Sequence, residues 1–214
     1  FILDQNVNIV PHNRAEEIFI ADQFLEILDP ELSIDFLQTF EEDEAHIRIY
    51  KVDEFSPMLW DNSELLGFAQ PIDPDYSSYD YGIFNGDEHV QVVWKDLSAD
   101  NDLAVIYTPS DIYSNRDIDI NYGGNSYGGL TEHEAHTIVH EIAHALGLDH
   151  PNGDPWGDIS WNDTSDSITS YNFEPININY NLQTIPHYDA PGFTETDLEA
   201  LQYIWGSEEG GMWG

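Results

Sequence analysis

The segment from His140 to His150 constrains this chain more than any other, because it reads H-E-I-A-H-A-L-G-L-D-H. On a helix, His140 and His144 lie one turn apart, so both imidazoles project from the same face. Gly147 predicts the end of that helix, because glycine adopts the positive-φ conformation of a C-terminal cap without steric cost. The chain can then turn back and bring His150 towards the other two rings.

This set of donors predicts a zinc site. Neutral imidazoles of His140, His144 and His150 leave a fourth position open for water, as catalytic zinc sites require. Glu141 follows the first histidine and can act as a general base, taking a proton from water and later passing it to the leaving amine. Buried structural residues are the alternative interpretation, but a glycine-terminated helix carrying all three ligands is hard to explain in that way.

The extended motif resembles that of the metzincin zinc endopeptidases, and Pro151 directly after it resembles their serralysin-like branch. Further segments resemble other parts of that catalytic domain: His46–Tyr50, Leu65–Pro71, Trp161–Tyr171 and Phe193–Gly206. The resemblance implies an α+β domain with a twisted mixed sheet, an active-site helix and a smaller irregular C-terminal subdomain after Gly147. It also implies a secreted enzyme that hydrolyses internal bonds of extended polypeptides, with Leu65–Gln70 as the edge strand beside the substrate.

The resemblance assigns two more positions. Tyr171 matches the serralysin tyrosine, which implies a fifth metal ligand and a hydrogen-bond donor to the tetrahedral oxyanion. Thr169 stands where the family has the methionine of its Met-turn. That methionine is a polarizable packing floor beneath the metal and not a ligand. We therefore expect Thr169 to loosen or repack the site without removing coordination.

The charge balance excludes some partners and leaves a question open. There are 42 acidic residues against 5 basic ones, a formal net charge of −37, so nucleic acids and anionic membranes are improbable partners. An acidic surface suits high salt, where charge repulsion is screened. Alternatively, some carboxylates bind Ca²⁺, and two oxygen-rich clusters have suitable spacing. These clusters comprise Asp96, Asp100, Asn101 and Asp102, and separately Asp117, Asp119 and Asn121.

Periodicity predicts the main elements. A helix is expected over residues 13–28, with an apolar face of Ala15, Ile18, Ala21, Leu25 and Leu28. Strands are expected at Ile34–Phe40, His46–Val52, Leu65–Pro71, Val90–Trp94 and Leu103–Tyr107. The histidine helix should begin at Thr131 as N-cap. A final helix should begin after Thr194, with Glu195 to Asp197 at its start, and end near Gly206. The long loops are expected at 72–88 and 108–130.

We expect one catalytic domain over residues 1–206, followed by a tail or linker stub at 207–214. The chain contains no cysteine, no apolar stretch of membrane-spanning length and no signal-peptide pattern. A processed or excised catalytic domain is therefore expected. The serralysin resemblance implies secretion, and we expect a monomer. Two rival functions remain: a zinc-binding module of the same fold that binds proteins after losing catalysis, and a salt-adapted domain whose metal serves folding only. His136 and Asp149 could support the site, or could simply face solvent.

Overall fold

The computed structural model describes residues 8–55, 66–71, 89–96, 130, 132–151, 166–170 and 192–208. Within them the fold is α+β, with helices and a four-stranded mixed sheet. The strands are β1 (Ile9–Val10), β2 (Ile47–Val52), β3 (Gly67–Pro71) and β4 (Val90–Lys95). Their order in the sheet is β1-β2-β4-β3.

The sheet places its most apolar strand in the middle. β4 pairs in parallel with β2 and antiparallel with β3, and its residues from Val90 to Trp94 are buried. A strand that is buried between two neighbours usually has a continuous run of hydrophobic residues. The β4 sequence V-Q-V-V-W has this pattern, apart from Gln91. The predictions of strands at His46–Val52, Leu65–Pro71 and Val90–Trp94 are confirmed, and β3 lies at an edge of the described sheet.

The first helix has two parts. Helix α1 spans Arg14–Asp22 and begins with a capping box between Asn13 and Glu16. The chain continues as a π-helical segment over Gln23–Leu28, where the Asp29 N–H donates to the Phe24 carbonyl over 2.8 Å. The predicted helix over 13–28 is therefore confirmed in extent.

The predicted apolar face of this helix is wrong. Of its five predicted members only Leu28 is buried, and Ile18 and Leu25 are 49% and 38% exposed. Phe19, which was not predicted, is buried instead. The bulky Phe19 and Phe24 rings pack against the core, and the wider π-helical turn changes which later residues face inwards. Glu16 is also buried on this side, because it pairs with a buried lysine described below.

The predicted strand at Ile34–Phe40 is also wrong. This segment has no strand pairing, and Leu37 and Phe40 are 89% and 88% exposed. The Asp29 carboxylate accepts the Phe36 N–H over 2.7 Å, so a side chain satisfies a donor that a strand would give to a neighbour. Alternating hydrophobic residues predict a strand, but this segment does not pair with any described strand.

Two further helices complete the described fold. Helix α2 spans Glu132–Ala145 and helix α3 spans Glu195–Trp205, which begins with a capping box between Thr194 and Asp197 and ends at Gly206. The prediction of the final helix is confirmed. The predicted inward face of α2 is fully buried, and it consists of Ala135, Ile138, Val139, Ile142, Ala143 and Leu146. These residues share one hydrophobic cluster with residues from α1, β4 and α3.

Several predictions lie outside the described residues. They are the Thr131 cap, the strand at Leu103–Tyr107, the loops at 72–88 and 108–129, and all members of the two acidic clusters except Asp96. At the C-terminal side, Ser207 forms an antiparallel bridge with Leu32, so the chain is still attached to the domain just after Gly206. Among the described helices, none has both the length and the apolar character that crossing a membrane requires.

Candidate metal centre

Three imidazole nitrogens converge at the C-terminal end of α2. The Nε2 atom of His144 lies 3.0 Å from Nε2 of His140 and 3.2 Å from Nε2 of His150. The ligand atoms of the three side chains all lie within 4.8 Å of one another. The structure therefore brings together the three histidines that the sequence predicts as ligands.

Backbone carbonyls fix which nitrogen of each ring on α2 carries the proton. Nδ1 of His140 lies 2.9 Å from the Ile168 carbonyl oxygen, and Nδ1 of His144 lies 2.7 Å from that of Leu148. A carbonyl can only accept, so both Nδ1 atoms donate and both Nε2 atoms present a lone pair. Lone pairs facing each other at 3.0 Å repel, and a cation between them turns that repulsion into coordination.

The protonation of the rings favours metal binding. Burial lowers the pKa of His140 well below its usual 6.5, and the neighbouring histidines lower it further. Burial likewise lowers the pKa of His144, although the Leu148 carbonyl and Asp149 oppose the shift. Burial and His144 lower the pKa of His150 to about 4. All three rings are therefore neutral near pH 7, which is the form that ligates metals.

The spacing fits a small tetrahedral ion. Zinc–nitrogen bonds of about 2.0–2.1 Å at tetrahedral angles place ligand nitrogens roughly 3.3–3.4 Å apart. The separations of His144 Nε2 from the other two Nε2 atoms, 3.0 and 3.2 Å, need only a few tenths of an ångström of adjustment, and all three ligand atoms lie within 4.8 Å of one another. Imidazole suits zinc, copper, iron and nickel, so the donors alone leave the metal open. The three residues can bind a metal ion.

The turn after α2 brings in the third ring. The helix ends at Ala145, Gly147 has φ of 101°, and the Leu148 N–H returns to the Ala143 carbonyl over 3.0 Å. A side chain would strain this left-handed conformation, so the prediction that Gly147 ends the helix is confirmed. The reversal also places the Leu148 carbonyl beside His144.

Glu141 lies between the histidines and the sheet. Its side chain is buried, and burial raises its pKa from 4.5 to about 8, while a hydrogen bond from the Ala69 backbone N–H opposes the rise. A carboxyl group held at an intermediate pKa in a dry site is suited to accept and return a proton.

Gly67 was not singled out from the sequence, yet it sets the approach of β3 to α2. A Cβ atom at this position would lie 2.5 Å from Cγ2 of Thr137 and 3.0 Å from Cγ of Glu141. The first distance is shorter than real Cβ contacts and the second is at their lower limit, so a larger residue would force Thr137 or Glu141 to shift. Glycine lets the strand lie this close to the general-base candidate without such a shift. A glycine inside a strand pattern is the available signal for such a contact.

Residues 166–170 form a turn that contacts the histidine site and the start of α3. The Ile168 carbonyl accepts from His140, while the Ile168 N–H donates to the Asp197 carboxylate over 2.9 Å. Asp197 is buried and also accepts from Ser167 Oγ over 2.7 Å and from the Thr194 N–H over 2.8 Å. From the sequence Asp197 is predicted only as part of the start of α3, because a capping carboxylate gives no sign of its remote partners.

The other candidate site residues are Tyr171, His136 and Asp149. Tyr171 lies outside the described residues. The His136 ring lies 5.9 Å from that of His140 and contributes to lowering the pKa of His140. The Asp149 carboxylate is exposed and accepts the backbone N–H of His150 over 2.7 Å, whereas its separation from Nδ1 of His150 is 3.7 Å. Asp149 therefore shapes the backbone of the third ligand more directly than its ring.

Comparison with known proteins adds no identification: no protein-family model matches this chain, and no curated protein matches it. The chemistry of the site thus rests on its own residues and on the motif that they form.

Proposed function

We propose that this protein is a zinc-dependent endopeptidase of metzincin type, close to the serralysin-like branch. The convergence of His140, His144 and His150 beside the buried Glu141 is the observation that supports the proposal most strongly. Three neutral nitrogens leave room for water and substrate, which distinguishes catalytic zinc sites from closed structural ones. The motif H-E-x-x-H-x-x-G-x-x-H supports zinc over the other metals that imidazole accepts.

In the proposed reaction, zinc would polarise the scissile carbonyl and acidify the attacking water. Glu141 takes the proton from that water and delivers it to the amine as the peptide bond breaks. The Ile168 and Leu148 carbonyls hold His140 and His144 in the tautomer that presents Nε2. Tyr171 is proposed, by resemblance alone, to stabilise the oxyanion.

The proposed substrate is an extended polypeptide lying along the outer edge of β3. This strand pairs with β4 on one side, and its Ala69 N–H contacts Glu141, so a chain beside this edge would pass near the general base. The net charge of −37 favours neutral or cationic peptides over acidic ones. Secretion and a monomeric state belong to the same proposal and rest on the resemblance.

A matched pair of proteins tests the proposal. Wild type and Glu141→Gln are loaded with zinc, metal content is measured, and cleavage of a quenched-fluorescent peptide library is followed. One zinc per chain in both, with cleavage reduced about 100- to 10,000-fold in the variant, is expected for loss of a general base. Zinc in both with cleavage in neither would reject the peptidase and favour a zinc-binding module. Equal cleavage by both proteins would reject the role of Glu141.

A further inference from the structure

The hydroxyl of Thr169 lies between two segments that hold the metal site. Thr169 is 1% exposed, and its Oγ1 atom lies 3.0 Å from the Asp149 carbonyl oxygen and 2.9 Å from Ser167 Oγ. Asp149 directly precedes His150, and Ile168 directly precedes Thr169. The side chain thus sits where the segment carrying the third ligand meets the turn that orients the first.

The directions of these hydrogen bonds follow from the chemistry of the acceptors. The Asp197 carboxylate accepts, so the Ser167 hydroxyl donates its single proton to it over 2.7 Å. The Thr169 proton is then shared between the Asp149 carbonyl and Ser167 Oγ, since neither has a proton to return to it. The result is a chain of hydrogen bonds that runs from Asp197 through Ser167 and Thr169 to the Asp149 carbonyl.

From this arrangement we infer that Thr169 is a positioning residue that fixes the segment bearing His150 by a hydrogen bond. The inference rests on the proposed metal site but does not require peptide cleavage. A methionine thioether has no proton to donate, so it could not hold the Asp149 carbonyl. In this chain a directional hydrogen bond therefore holds the ligand segment in place. In the family that the chain resembles, a packed methionine side chain lies at this position instead.

Three substitutions separate the hydroxyl from the shape of the side chain. Thr169→Val keeps the volume and removes the hydroxyl, Thr169→Ser keeps the hydroxyl and removes the methyl group, and Thr169→Met introduces the thioether. Thr39→Val is the matched control, because Thr39 Oγ1 accepts the Glu41 N–H over 3.1 Å in a segment that does not contain the site. Cobalt(II) is the probe, and its dissociation constant and visible spectrum are measured by competition with a chelator.

We expect Thr169→Val and Thr169→Met to bind cobalt(II) about 10- to 100-fold more weakly than wild type, as is typical when a partner of a ligand segment is lost. Their visible bands should change in intensity, because a displaced His150 alters the coordination geometry. Thr169→Ser and Thr39→Val should keep the wild-type affinity and spectrum.

Wild-type affinity in either Thr169→Val or Thr169→Met would overturn the inference, and so would a Thr169→Ser as weak as Thr169→Val. If Thr169→Val does not fold, the comparison of Thr169→Ser with Thr169→Met decides the same question. Wild type that binds cobalt(II) but cleaves no peptide would reject only the proposed peptidase. Wild type that binds no metal would reject both.

Discussion

At the scale of single residues, the surroundings of Glu141 oppose the charge of its carboxyl group. Burial raises its pKa from 4.5 to about 8, so the metal-free folded protein binds this proton more tightly than the unfolded chain does. Such a group contributes its full stabilisation below pH 4.5 and loses it as the pH rises through about 8. The histidines act in the opposite sense, since their lowered pKa values reduce stability as the pH falls below 6.5.

Glu141→Gln isolates the carboxyl contribution, because the amide has similar volume and does not titrate. The metal-free variant should gain stability over metal-free wild type as the pH rises from about 5 to about 9, by roughly a few kcal/mol. Urea unfolding at several pH values measures this difference. Parallel stability curves for the two proteins would show that Glu141 is not buried as described.

Gly67 provides a steric test at the same scale. Gly67→Ala places a methyl group 2.5 Å from Cγ2 of Thr137, so we expect a loss of about 1–3 kcal/mol in the free energy of unfolding. Thr137→Ser removes Cγ2 and should recover part of that loss in the double variant. Purely additive effects in this double-mutant cycle would contradict a direct contact between the two positions.

At the scale of elements, the sequence predicts best where one hydrophobic period is unbroken. Helix α2 buries its predicted face because apolar residues recur at helical spacing from Ala135 to Leu146. The face of α1 could not be predicted in this way, because Glu16 is buried through an ion pair and the π-helical turn after Asp22 changes the period. The strand predicted at Ile34–Phe40 does not form, because no described strand pairs with this segment.

In the candidate site too, local features could be predicted from the sequence and long-range contacts could not. The ligands and Gly147 are fixed by local spacing along one helix and one turn, which a sequence displays directly. The contacts of Gly67 with Glu141 and of Asp197 with Ile168 join residues far apart in the chain. A glycine within a strand pattern indicates a close approach but not its partner, and a capping Asp does not indicate its remote partner, so only the folded structure reveals both contacts.

The packing of α1 on the sheet depends on one buried cation. Lys51 Nζ lies 3.0 Å from Glu16 Oε2 and 3.4 Å from Asp96 Oδ2, and 5.5 Å from the centre of the Trp94 ring. Lys51→Met should lower the free energy of unfolding by about 3–5 kcal/mol, because it leaves the Glu16 carboxylate buried without its partner. Urea denaturation measures the loss, and adding Glu16→Gln should restore a substantial part of it. No recovery in the double variant would mean that the loss comes from packing.

At the scale of the whole molecule, the charge of −37 predicts a strong response to salt. Screening shortens the range of repulsion from about 10 Å at 0.1 M to about 3 Å at 1 M, so added NaCl should raise the melting temperature. Equal effects of NaCl and KCl would indicate screening, the explanation that we favour. A larger rise with millimolar CaCl₂ at constant ionic strength would instead indicate specific calcium sites. No rise with any of these salts would contradict both explanations.

The hydrogen bonds from Ser167 and Ile168 to Asp197 also determine when the metal site can assemble during synthesis of the chain. Helix α3 follows every predicted metal ligand in the sequence, so it leaves the ribosome after all of them. Until α3 has emerged and docked, the turn that holds His140 and Thr169 lacks its anchor. The nascent chain therefore carries all its predicted ligands before it can arrange them, and full metal affinity should arise only after α3 has been translated and has docked.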